Sequence, residues 1–170
     1  MKSQNKTFVS IASFNMHGFN NSWLYLQELM QNYQIIFVQE RWLSSSKLSY
    51  LNEVSSDYVA YAVSGMNEAC STGLLRGRPF GGVAVLCHFT ISNCAEFVGA
   101  SDDGRVITLM LELNASKFLL FGCYFPCDDY SSDFSNVVSA VLGYIESVAD
   151  EYPSIKFGVL GDFNFECNKD

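Results

Sequence analysis

Ile155-Lys156-Phe157-Gly158-Val159-Leu160-Gly161-Asp162-Phe163-Asn164 decides the fold class. Its first six residues form a short apolar run of strand length, and its last four turn polar with Asp162 and Asn164 two apart. We read it as a buried strand that ends on a chemically useful turn. Just before it, Ser132–Glu151 carries Phe134, Val137, Val138, Val141, Ile145 and Val148 at helical spacing, with Pro153 beyond its end. A helix leading straight into a buried strand is the unit of an α/β layered protein.

Working outward, residues 7–14 read as a first strand and residues 22–33 as a helix with Trp23, Leu26, Leu29, Met30 and Tyr33 on one side. Ile35–Gln39 is a short apolar strand, Ser44-Ser45-Ser46 caps a brief helix running to about Val54, and Tyr58–Val63 is another strand. A polar, Gly-containing loop over 65–79 precedes an apolar strand at 82–87. Strands at 91–98 and 105–113 flank the turn signal Asp102-Asp103-Gly104, and 118–124 follows closely. The middle of the chain therefore reads as one long antiparallel meander. No repeat, low-complexity stretch or linker divides residues 1–170, so one domain is expected.

Composition narrows the function. Apolar residues are 49% and charged residues 16% of the chain, which favours a folded core over disorder. The net charge of −8 argues against a non-specific nucleic-acid binder, but not against an enzyme that holds a cation between itself and a phosphate. The longest apolar runs are strand-sized, so no membrane span is expected. Residues 8–12 are interrupted by Asn15 and His17, which fits a strand better than a secretory signal. Six cysteines (70, 87, 94, 123, 127 and 167) show no CxxC pair, and several sit in apolar runs as small core residues. An intracellular chain, nuclear or cytoplasmic and not secreted, is the expectation.

The polar residues at strand ends carry the chemistry. Apolar strands end at Asn15, Glu40, Tyr124 and Asp162, with Asn164 just beyond. One polar strand end is ordinary turn chemistry. Four of them form a pattern, because ligands of open α/β sheets collect at carboxyl strand ends. Glu40 and Asp162 are the natural anionic ligands for a hard cation such as Mg²⁺, with Mn²⁺ as an alternative. Asn15 and Asn164 would supply amide oxygens or orient water and phosphate. Asp162 and Asn164 would point to one side if the backbone stays extended.

The ordered motifs resemble the endonuclease/exonuclease/phosphatase superfamily. They are Ser13-Phe14-Asn15-Met16-His17-Gly18, Ile36-Phe37-Val38-Gln39-Glu40-Arg41-Trp42-Leu43, Gly81-Gly82-Val83-Ala84-Val85-Leu86, Gly122-Cys123-Tyr124-Phe125-Pro126 and Leu160-Gly161-Asp162-Phe163-Asn164. Within it, Gln39-Glu40-x-Trp42-Leu43 and Tyr124-Phe125-Pro126-Cys127-Asp128-Asp129 look most like the apurinic-type endonuclease domain of LINE (non-LTR) retrotransposons. The resemblance implies a four-layer α/β sandwich, deoxyribonuclease I-like, with its C-terminal part missing. It implies Mg²⁺-dependent nicking of DNA, with a reverse transcriptase downstream in the full-length chain. Glu40 would be a metal ligand, and Asn15 would support the metal and phosphate site. Tyr124 would contact the scissile phosphate, Asp162 would position or activate water, and Asn164 would bind a phosphate oxygen.

The chain departs from the family in places. A late Ser-Asp-His motif has no counterpart in these 170 residues, so this fragment is expected to be inactive or nearly so. His17 stands where apurinic endonucleases carry an acid, and is read as a phosphate or water contact. Cys127 replaces a phosphate-binding Asn. Arg76 and Arg78 in the polar loop are candidates for a nucleic-acid backbone. Arg41 is read as offsetting Glu40, Asp128 and Asp129 as favouring the start of the long helix, Trp42 as a packed rim residue and His88 as an exposed strand end. Two other readings stand beside the endonuclease: a phosphatase or phospholipid phosphodiesterase of the same superfamily, and a non-catalytic degenerate copy acting as an interaction module.

Overall fold

A computed structural model describes residues 8–66, 80–127 and 132–164. Arg76, Arg78, Asp128, Asp129, Cys70, Cys167 and most of the 65–79 loop lie outside the described residues.

The eight described strands form two four-stranded sheets. β1 (Ile11–Asn15), β2 (Ile35–Gln39), β3 (Tyr58–Val63) and β4 (Val83–His88) are ordered β1-β2-β4-β3. β5 (Ala95–Ala100), β6 (Val106–Leu113), β7 (Ser116–Tyr124) and β8 (Lys156–Asp162) run in sequence order. The outer pairs β1/β2 and β7/β8 are parallel, and the other pairings are antiparallel. Parallel neighbours need a crossover. α1 (Phe19–Met30) makes the first and α3 (Ser132–Glu151) the second. A 3₁₀ turn (Ser45–Lys47) and the short α2 (Tyr50–Glu53) replace the single capped helix expected before β3.

Three apolar layers hold these elements. Leu26 of α1 packs with Ile36, Val38, Ala84 and Leu86 on the outside of the first sheet. Ile35, Phe37 and Val85 meet Ile107, Leu109 and Leu111 between the sheets. Val141, Ile145 and Val148 of α3 cover Val106, Met110, Leu119 and Phe121 on the outside of the second. The order is helix, sheet, sheet, helix, which is the expected four-layer sandwich. β2 lies between two of these layers and is buried along its whole length, so it reads as an unbroken apolar run. Cys87 and Cys123 belong to the core, and burial pushes both thiols up to about 12.

Three expectations are corrected. The supposed meander breaks at the 3₁₀ turn Phe89–Ile91, where the chain passes from the first sheet to the second. β4 and β6 are apolar on both faces, so periodicity cannot show that they belong to different sheets. The strand over 155–160 is not deeply buried. β8 pairs only with β7 among the described residues, and Lys156 and Phe157 are exposed at its start. The first helix begins at Phe19, three residues early. Its first amide donates to Arg41 O at 2.9 Å, so the segment after β2 satisfies a helix-end donor. No helix among the described residues is long and apolar enough to cross a membrane.

Gly122 lets the sheets close. A Cβ there would lie 2.3 Å from Phe37 Cδ1 and 3.1 Å from Ile107 Cγ2. Gly143 in α3 has nothing within 4 Å of a built Cβ. Urea unfolding should show Gly122→Ala destabilised by about 1–3 kcal/mol through overpacking. Gly143→Ala should be stabilised by about 0.5–1 kcal/mol through helix propensity. Equal effects of the two would contradict this packing.

Candidate active site

Strand parity aims the site residues. Alternate positions of β1 face the second sheet, and Ile11 packs in the inter-sheet layer while Ala12 and Phe14 pack toward α1. Asn15 has the parity of Ile11 and points between the sheets. On β8, Leu160 belongs to the inter-sheet layer, so Asp162 two residues on points the same way. Both parallel pairs end together, because Asn15 is in register with Gln39 and Tyr124 with Asp162.

Asn15 joins the two sheets. Its Nδ2 donates to Glu40 Oε1 at 3.0 Å and to Asp162 Oδ2 at 2.6 Å. Its Oδ1 accepts the His17 amide at 3.0 Å, which fixes the orientation of the group. The amide nitrogen therefore faces the carboxylates, and the amide oxygen is taken by the His17 amide. Two acidic side chains from opposite sheets are thus held to one amide. No Lys or Arg pairs with either of them among the described residues. His17 Nδ1 lies 3.2 Å from Glu40 Oε2, with the imidazole side chain 75% exposed and the Glu40 side chain 12% exposed.

Asn164 does not join this group through its side chain. Residue 164 has φ 48°, so the extended pairing expected for Asp162 and Asn164 fails. Its amide donates to Asp162 Oδ1 at 3.1 Å, and its side chain reaches back to Phe125 O at 2.8 Å. This is the local Asx turn that Asp favours, and it fixes the other carboxylate oxygen of Asp162. Gly161 makes the strand end possible. Its φ is +144°, and a Cβ would sit 1.9 Å from Cys123 O.

Tyr124 stands at the end of β7 beside Glu40. Burial, then the charge of Glu40 and hydrogen bonding to it, push its phenol up to about 12. Arg105 opposes that shift. Its guanidinium carbon lies 5.2 Å from the Tyr124 ring centre, and Nη1 donates to Tyr124 O at 3.3 Å. Arg105 directly follows the Asp102-Asp103-Gly104 turn, and no local sequence pattern marks it as a neighbour of Tyr124. Cys127 is exposed, and its charge, were it ionised, adds to the forces that raise Tyr124.

Arg41 corrects another expectation. Its guanidinium makes no ion pair with Glu40; it is fully buried and bonds to backbone carbonyls. Trp42 is the packed rim residue expected, set against Gly18, whose built Cβ would lie 2.6 Å from the indole. His88 is half-buried at the end of β4 and accepts the Thr90 amide. The described residues contain no cluster of three or more His, Cys, Asp or Glu side chains arranged to hold a metal.

No family model and no curated protein matches this chain in sequence. Solved structures do match it. NExo, a 3′ phosphatase from Neisseria solved with a product DNA hairpin, has a TM-score of 0.65 at 18% identity, over 93% of this chain and 58% of that one. The AP endonuclease LMAP from Leishmania major has 0.61 at 13%, over 91% and 54%. An endonuclease/exonuclease/phosphatase family protein from Bacteroides thetaiotaomicron has 0.62 at 13%, over 94% and 65%. The chain thus spans a little over half to about two thirds of the length of these proteins. At such identities the likeness is one of fold: the two-sheet α/β sandwich of the deoxyribonuclease I-like structures.

Proposed function

We infer that the chain belongs to a divalent-metal phosphodiesterase that nicks DNA, of the LINE retrotransposon type. The observation that carries this reading is the Asn15 bridge, which holds Glu40 and Asp162 together at the carboxyl ends of two parallel strand pairs. The likeness to a phosphatase solved with DNA and to an AP endonuclease supports DNA as substrate. The Gln39-Glu40-x-Trp42-Leu43 and Tyr124-Phe125-Pro126 motifs support the LINE type.

The donor set fits a hard cation. Two partly buried carboxylates share one neutral amide and pair with no Lys or Arg among the described residues, with the exposed imidazole of His17 against Glu40. Mg²⁺, or Mn²⁺ in its place, would be held by Glu40 and Asp162, with Asn15 setting their spacing. Bound there, it would lower the pKa of a water and neutralise charge on a phosphate. Asp162 accepts the proton of the attacking water as the new P–O bond forms and the opposite ester P–O bond breaks; the leaving oxygen takes a proton from solvent. Tyr124 stays a neutral phenol at working pH and donates to a non-bridging phosphate oxygen. Asn164 holds Asp162 through its backbone amide, and its side chain is the nearer candidate for phosphate once freed from Phe125 O. His17, exposed beside Glu40, contacts phosphate or water. Arg76 and Arg78 remain candidates for the DNA backbone.

Cation binding tests the reading without requiring turnover. Titrating Mg²⁺ in a thermal-shift assay should stabilise the chain, by about 2.7 kcal/mol at a hundredfold excess over Kd. Glu40→Gln with Asp162→Asn should abolish the shift. A chain indifferent to Mg²⁺ and Mn²⁺ would remove the basis of the proposal and favour a non-catalytic copy. Nicking of supercoiled DNA by these 170 residues is expected near background, and full-rate nicking would refute that expectation.

Tyr124 also makes a pH prediction. An ordinary phenol ionises near 10.0, and the folded chain raises this one to about 12. The folded state therefore keeps a proton that the unfolded chain releases. The resulting stability is complete below pH 10 and is lost as pH rises toward 12. Urea unfolding at pH 8, 10 and 11 should show a steeper alkaline loss in the natural chain than in Tyr124→Phe. Parallel curves would mean that Tyr124 is not held as described.

A further inference from the structure

Arg41 heads the largest side chains that are fully buried among the described residues. A buried charge is costly unless it is paired. Among the described residues no carboxylate pairs with it. Its Nε donates to Val83 O and its Nη1 to Leu43 O, each at 3.3 Å, while Nη2 has no partner among the described residues. Burial pushes the guanidinium down to about 10, so it remains charged at neutral pH. Packing alone would be served as well by an apolar side chain. The cost points to something that only a forked donor can do.

The backbone shows what that is. Leu43 O and Val83 O belong to the segment after β2 and to the first residue of β4, so the guanidinium ties one to the other. Ser64 Oγ also donates to Leu43 O, at 3.0 Å. Gly82, at φ +85°, leaves room, since a Cβ there would lie 3.2 Å from both Cζ and Nη2. The residues on either side of Arg41 are left-handed, Glu40 at φ 50° and Trp42 at φ 54°. Non-glycine residues hold that conformation only where their surroundings impose it. Around them, the amides of Gly18, Phe19 and Trp42 donate to Glu40 O (2.7 Å), Arg41 O (2.9 Å) and Gly81 O (3.2 Å).

We propose that Arg41 is the positioning residue of the site: its buried guanidinium pins the segment after β2 to β4 and so holds Glu40 in the left-handed conformation that sets its carboxylate beside Asn15 and Tyr124. The consequence for cation binding rests on the function proposed above; the pinning itself does not.

The test compares Arg41→Met and Arg41→Lys with Val141→Ala, a core truncation under α3. Amide hydrogen exchange on the metal-free chain is the first readout. Arg41→Met should lose at least tenfold of its protection at Gly18, Phe19 and Trp42 relative to the amides of α3. Arg41→Lys, with one nitrogen in place of a fork, should fall between it and the natural chain. Val141→Ala should show no selective loss there. The second readout is the Mg²⁺ midpoint of the thermal shift, which should rise at least tenfold in Arg41→Met and stay unchanged in Val141→Ala. Unchanged relative protection at those three amides, or an unchanged Mg²⁺ midpoint in Arg41→Met, overturns the proposal. If Arg41→Met does not fold, Arg41→Lys carries the same comparison. A natural chain without any Mg²⁺ shift defeats the proposed function, and the exchange data then decide the pinning alone.

Discussion

One side-chain amide ties the two sheets together at the carboxyl ends of their parallel strand pairs. Asn15 spends both N–H groups on carboxylates of opposite sheets and its oxygen on the amide of His17. Charge-assisted hydrogen bonds of this kind are stronger than neutral ones. They are needed here, because Glu40 and Asp162 repel each other and no Lys or Arg among the described residues pairs with either. The arrangement keeps acidic oxygens gathered in a space where water is partly excluded.

The inter-sheet layer changes character along its length to accommodate this group. At one end it is apolar, built from Ile35, Phe37, Val85, Ile107 and Leu109. Toward the site the same strand parity presents Ser13 and Gln39, which hydrogen-bond to each other, and then Asn15. The gradient keeps the polar groups satisfied as the layer opens toward the site. Phe37 pressed on Gly122 marks the boundary, since its ring fills the width that a side chain at 122 would otherwise take.

Backbone strain is collected in the same place. Six non-glycine residues among those described have positive φ. Asn114 and Ala115 form the tight turn between β6 and β7, where such angles are usual. The other four, His17, Glu40, Trp42 and Asn164, all belong to the segments that follow β1, β2 and β8. Each turns the chain sharply as it leaves a strand. Gly18, Gly82 and Gly161 provide the close approaches that make those turns fit.

Much of this was legible in the sequence. Period and length were enough to place α3 over Ser132–Glu151 and β2 and β3 at their observed bounds, because burial on one stripe or on both faces writes itself into the residue pattern. Strand ends and motif order were enough to single out Asn15, Glu40, Tyr124 and Asp162. Other features were decided by contacts between distant residues, about which a local pattern is silent. The break of the meander into two sheets depends on which apolar faces meet, and β4 and β6 look alike in that respect. The turn of Asn164 toward Phe125 depends on a left-handed residue just past a strand. Arg41 looked in sequence like a counter-charge for Glu40. Only tertiary structure shows it buried, because the carbonyls it meets include one forty-two residues away. The chain by itself determined which strands end in oxygen-bearing side chains. The packing of one sheet on the other decided that those oxygens meet.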